Sequence, residues 1–176
     1  MLVPKIDAEK SVDEFVALAE FIDHFNVHYQ LLLRRYRRFK EIEDIYNTDI
    51  DVMTYLDIII VQLRAMCIEK ESNKKNYTAQ ILLRKMGKNE LAEKLDAMLD
   101  EEFFEGLMDM SVRKALKILA DQFICHYDNF DGGEGKEAWA MASIIEKGLR
   151  NPYHKHNLDY IMQTVMECIG EGVKLN

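Results

Sequence analysis

Two prolines and eight glycines are the only strong chain-breakers in 176 residues. A strand-rich domain turns back on itself every ~8–12 residues and needs many more turn formers than that. So little punctuation restricts the chain to long elements, and long periodic elements are helices. The expectation is an all-α fold: a single-domain bundle of six or seven helices covering residues 1–176. Residues 1–10 read as an N-terminal tail and 128–135 as a flexible inter-helix loop. Hydrophobic residues make up 48% of the chain and charged residues 31%, which is the balance of a packed core rather than of a disordered segment.

Several classes of function fall away on composition. The opening MLVPKIDAEK has no apolar signal core, and the densest apolar run, Ile58 to Val61, is cut off by Asp57, Gln62 and Arg64. No membrane partner is expected. Cys67, Cys125 and Cys168 are odd in number and widely spaced, which suggests neither a disulfide framework nor a zinc site and fits a reducing, cytoplasmic location. A net charge of −8 argues against a general duplex-binding surface.

Helix starts can be read from capping residues. Ser11 with Glu14 forms a capping box, opening a helix to about Tyr46 whose buried face runs through Val12, Phe15, Ala19, Ile22, Tyr29, Leu33 and Tyr36. Asn47 or Thr48 caps a second helix, from Asp49 to about Glu71, apolar nearly all round and therefore central. Ser72 to Asn76 is a polar loop. Thr78 caps a short helix ending near Gly87, and Asn89 caps another to about Leu99. Ser111 opens a fifth with the stripe Val112, Ala115, Leu119, Phe123 and Tyr127. A sixth spans Lys136 to Leu149 before Pro152, and Asn157 caps a last one ending near Gly170.

Five places carry residues suited to chemistry. Glu20, His24 and His28 share one stripe at i, i+4, i+8, opposite Ile22 and Leu33. That stripe should face solvent, and no Glu-x-x-His accompanies it, so neither a bundle metal centre nor any other cofactor is expected. The basic run Arg34, Arg35, Arg37, Arg38 and Lys40 is interleaved with Tyr36 and Phe39, a composition able to hold phosphate and stack a base of single-stranded RNA. The same residues can form an ordinary solvated face paired with Glu41, Glu43 and Asp44. Gly132 to Lys136 (GGEGK) lacks the pattern of a phosphate loop, and Asp128 with Asp131 lacks calcium-loop spacing. Cys125 and His126 are adjacent on a helix and diverge by about 100°, too far to act as a dyad.

The fifth place is Arg150-Asn151-Pro152-Tyr153-His154-Lys155-His156, an arginine followed by asparagine and, six positions on from the arginine, by His156. Here the chain resembles the HEPN superfamily of all-α proteins, which includes RNA-cleaving toxins and abortive-infection proteins. Asp121 to Asp128 is similar in texture to a second segment of the abortive-infection branch. It offers an alternative locus at Asp121 and His126, with Asp121 standing where an arginine is usual. Pro152 also interrupts what is normally continuous helix. The resemblance implies a metal-independent endoribonuclease or RNA-binding protein of defence or toxin type, assembled as a homodimer. In it Arg150 would stabilise phosphate charge, His156 would move a proton, and Asn151 would orient the site. The alternative is a non-catalytic helical module for protein–protein interaction.

Overall fold

A computed structural model describes residues 12–43, 49–68, 78–106, 109–124 and 133–172. Among them the chain is an all-α bundle of seven α-helices and one π-helical segment. These are α1 (Val12–Ile42), α2 (Ile50–Cys67), α3 (Ala79–Lys85), α4 (Asn89–Asp100), α5 (Val112–Ile118), the π-helical Leu119–Ile124, α6 (Gly133–Arg150) and α7 (Leu158–Gly172). The described residues form no strand; an isolated bridge joins Glu102 to Ser111. No described helix is long and apolar enough to cross a membrane.

Helix α1 packs along α2, α3 packs on α4, and α4 packs on α7; the π-helical segment touches α2, α5 and α6. The buried face of α1 runs through Ile22, Phe25, Tyr29, Leu32 and Phe39, while Leu33 and Tyr36 are half-buried. The face read from the sequence holds at Ile22 and Tyr29 and slips by one position toward the C-terminal end, where Leu32 rather than Leu33 is buried. The basic residues obscured the true period because Leu32 and Phe39 sit among them. Opposite lie Leu56, Ile59, Ile60 and Leu63 of α2, each essentially inaccessible. Every such side chain contributes about 1.5–3 kcal/mol relative to exposure. Ile58 and Val61 remain partly exposed, so α2 is central without being enclosed.

Local capping chemistry explains most helix starts. Asp49 caps α2 by accepting from the Asp51 amide; Asn47 and Thr48 lie outside the described residues, as do Ser11, Tyr46, residues 69–77 and residues 125–132. Ser111 accepts from the Lys114 amide and Asn157 from the Tyr160 amide, as their positions predict. Thr78 holds the extended cap conformation but makes no side-chain bond. Asn89 is already helical, with Lys88 at the cap position. Gly87 takes a left-handed backbone, φ +72°, which ends α3 sharply enough to start α4 one residue early.

Two elements differ from expectation. The fifth helix does not run on with an unbroken 3.6-residue stripe; at Leu119 it widens into a π-helix. The wider turn carries Asp121 against Arg64 of α2, at 2.6 Å. The sixth helix begins at Gly133, inside the segment read as loop, so residues 133–135 are helical.

Candidate functional site

The segment from Arg150 to His156 is a tight turn between α6 and α7, built by Asn151 within it and Asn157 directly after it. The Asn151 side-chain oxygen accepts from the Tyr153 amide at 3.0 Å, and its carbonyl accepts from the His154 amide at 3.0 Å. Asn157 donates to the Pro152 carbonyl at 3.1 Å while capping α7. Asn151, expected to orient a reacting group, is here engaged by the backbone of its own turn.

His156 does not lie in a polar loop as read from the sequence. It is fully buried, packed among Phe103, His154 and Tyr160. Its Nε2 lies 2.8 Å from Glu101 Oε2. Hydrogen bonding from His156, then from Lys155, holds the Glu101 carboxyl below the usual carboxylate range. An ionised carboxylate only accepts, so Nε2 must carry the hydrogen. The Nδ1 atom is buried without a hydrogen-bond partner. Around this contact Lys155 pairs with Glu101 at 3.0 Å, and the Tyr160 hydroxyl donates to Glu101 Oε1 at 3.4 Å. His154 Nδ1 accepts the His156 amide at 3.2 Å, and burial, then the neighbouring His156, lowers its pKa. Glu101, 55 positions away, is the residue that sequence reasoning missed. No local spacing links it to the turn.

Arg150 belongs to different surroundings. Its largely buried side chain meets Glu146 at 3.5 Å and the Met53 sulfur at 3.7 Å. Along the same side of α2 stand Asp57 and Arg64, with Arg64 paired to Asp121. Burial, then the negative charge of Glu146, pushes the Asp57 carboxyl up to about 6. Arg150 thus joins a charged seam between α2, α6 and the π-helical segment, whereas His156 joins an aromatic pocket beside α4 and α7. The polar partners named for the two residues have no member in common. A cleft of about 200 Å³ lined by Lys40, Glu43, Arg150, Asn157 and Asp159 does not include His156.

The basic run is mostly engaged within the protein. Arg35 donates to Gln62 at 2.7 Å, Arg38 to Glu41 at 2.9 Å, and Lys40 to Glu43 and Asp159 at 2.8 and 2.9 Å. Arg34 and Arg37 are exposed. Phe39 is a core residue, and the half-buried Tyr36 donates its hydroxyl to Asp159 at 2.7 Å, so neither ring is presented as a stacking platform. At the alternative locus Asp121 is the ion-pair partner of Arg64; Cys125 and His126 lie outside the described residues, as do Asp128, Asp131 and Gly132. Cys67 and Cys168 are buried free thiols, and burial pushes Cys67 up to about 12. Glu20, His24 and His28 face solvent. No family model, curated protein or solved structure matches the chain.

Proposed function

We propose that this chain is a non-catalytic helical interaction module. The state of His156 carries the reading. A general acid or base must come within hydrogen-bond reach of the proton it moves. The Nε2 hydrogen of His156 is directed to Glu101, and the ring is enclosed by aromatic neighbours. Leu31, Ile58, Val61, Trp139 and Ile144, left open on α1, α2 and α6, are the apolar side chains such a module would offer a partner.

The competing reading is the HEPN-like ribonuclease, which needs His156 as a proton carrier beside Arg150. Incubating single-stranded RNA with the purified chain in chelator separates the two. The interaction reading expects no cleavage above background. It also expects His156→Ala to lower stability by on the order of 2–3 kcal/mol, through the cavity left and the loss of Glu101's partner. Cleavage by the parent that is abolished in a stably folded His156→Ala protein would overturn the proposal.

A further inference from the structure

Helix α1 carries one pair of side chains that neither its core packing nor the interaction reading uses. His24 and His28 lie one turn apart on its solvent face, with their Nε2 atoms 3.2 Å apart and ring centroids 4.6 Å apart. We propose that His24 and His28 chelate one divalent transition-metal ion of the imidazole-preferring class, Cu²⁺ most tightly, then Ni²⁺ and Zn²⁺.

The spacing fits that chemistry. An imidazole nitrogen sits about 2.0–2.1 Å from such an ion, so two nitrogens on one ion stand about 2.9 Å apart at a right angle and about 3.4 Å apart at a tetrahedral angle. The observed 3.2 Å falls between these limits. In a helix, residues four apart lie on one face, whereas residues two apart do not face each other. The two rings are exposed, so an ion and its waters have room to enter.

The backbone beneath the pair is also held in place. The His28 carbonyl accepts from Gln62 Nε2 of α2 at 2.8 Å, and Gln62 Oε1 accepts from Arg35 at 2.7 Å. This cross-helix tie fixes the turn that carries the second ligand, which limits the ordering cost of chelation. Among the described residues no group of three or more His, Cys, Asp or Glu gathers closely enough to hold a metal ion. The site is therefore a two-ligand, open one, with water completing the coordination. Two neutral nitrogens favour Cu²⁺, Ni²⁺ and Zn²⁺ in the usual order of affinities and give Mg²⁺ and Ca²⁺, which require oxygen ligands, no hold.

The test is a titration of the full chain with Cu²⁺, Ni²⁺ and Zn²⁺, followed by calorimetry, with electron paramagnetic resonance on the Cu²⁺ form. One equivalent should bind, with two coordinated nitrogens in the Cu²⁺ spectrum and no competition from excess Mg²⁺. His24→Ala and His28→Ala should each weaken binding at least about tenfold, because the second ligand's effective concentration is lost. Pairing His28→Ala with Asn26→His keeps two histidines on the helix but at a spacing that cannot chelate, and it should bind as weakly as either single variant. Circular dichroism checks that each variant folds; His24 and His28 are exposed and Asn26 is half-buried. Binding by His24→Ala or His28→Ala at parental affinity, or retention in the Asn26→His variant, would overturn the proposal. So would a one-nitrogen Cu²⁺ spectrum.

Discussion

Asp57 and Glu101 show how two carboxylates in one small fold pull stability in opposite directions. Asp57 is half-buried on α2, and its carboxyl is pushed up to about 6 by burial and then by Glu146. An unfolded aspartate titrates near 4, as for an unperturbed side chain. Between those two values the folded chain binds more protons, so stability falls as pH rises. The destabilisation is complete above about pH 6 and is relieved toward pH 4. Glu101 is the reverse case: hydrogen bonds from His156 and Lys155 lower its pKa. Its stabilising contribution is present above the unfolded value and is lost as pH falls through the lower folded value. Asp57→Asn should therefore melt higher than the parent at pH 7.5, with the gap closing by pH 4.5. Thermal unfolding at both pH values measures this, and a variant that melts lower at pH 7.5 would refute it.

At the level of elements, α3, α4 and α5 meet at one carboxylate. Asp96 of α4 accepts from Gln80 at 3.1 Å and Arg84 at 2.6 Å on α3, and from Arg113 at 3.1 Å on α5. Gln80 in turn donates to the Cys67 carbonyl at the end of α2, at 2.8 Å. An isolated exposed ion pair is worth about 0–1 kcal/mol, but three donors on one part-buried acceptor form a network. Asp96→Ala should cost about 1–2 kcal/mol. Asp100→Ala, which removes only the exposed Arg113 Nε contact at 2.8 Å, should cost under about 0.5 kcal/mol. Urea unfolding with an unchanged slope distinguishes them, and equal losses would dissolve the idea of a hub. None of this was legible in the sequence, because residues 80, 96 and 113 share no period. The caps at Ser111 and Asn157 were legible because a cap acts within three residues of itself. The π-helical turn at Leu119 was not: its side-chain pattern reads as ordinary helix, and its visible pairing runs through the long-range contact of Asp121 with Arg64. The candidate site follows the same rule. The turn around Arg150 and His156 could be found by spacing, and so could Glu146, one helical turn before Arg150 on α6; the distant partners, Glu101 of His156 and Met53 of Arg150, came only from tertiary structure.

For the whole molecule, charge decides how a polyanion would meet it. The chain carries 31 acidic against 23 basic residues, a net −8, so any nucleic acid approaches against a repulsive background. Five basic residues of α1 read as a local exception, and single-stranded binding through all five would give a log–log salt slope of about −3.5. In the fold Arg35, Arg38 and Lys40 are already held by Gln62, Glu41, Glu43 and Asp159. Of these five, Arg34 and Arg37 are exposed with no ion pair among the described residues, which lowers the slope attainable through the run to about −1.4. Two phosphate contacts opposed by the net charge should give RNA binding detectable at 20 mM salt and absent at 150 mM. Fluorescence anisotropy with a labelled single-stranded RNA measures both affinity and slope. Arg34→Ala with Arg37→Ala should abolish the low-salt signal, and Arg38→Ala should leave it nearly unchanged. Micromolar binding that persists at 150 mM, with a slope near −3.5, would mean that the intramolecular pairs open for RNA, and the interaction-module reading would have to give way to a nucleic-acid function.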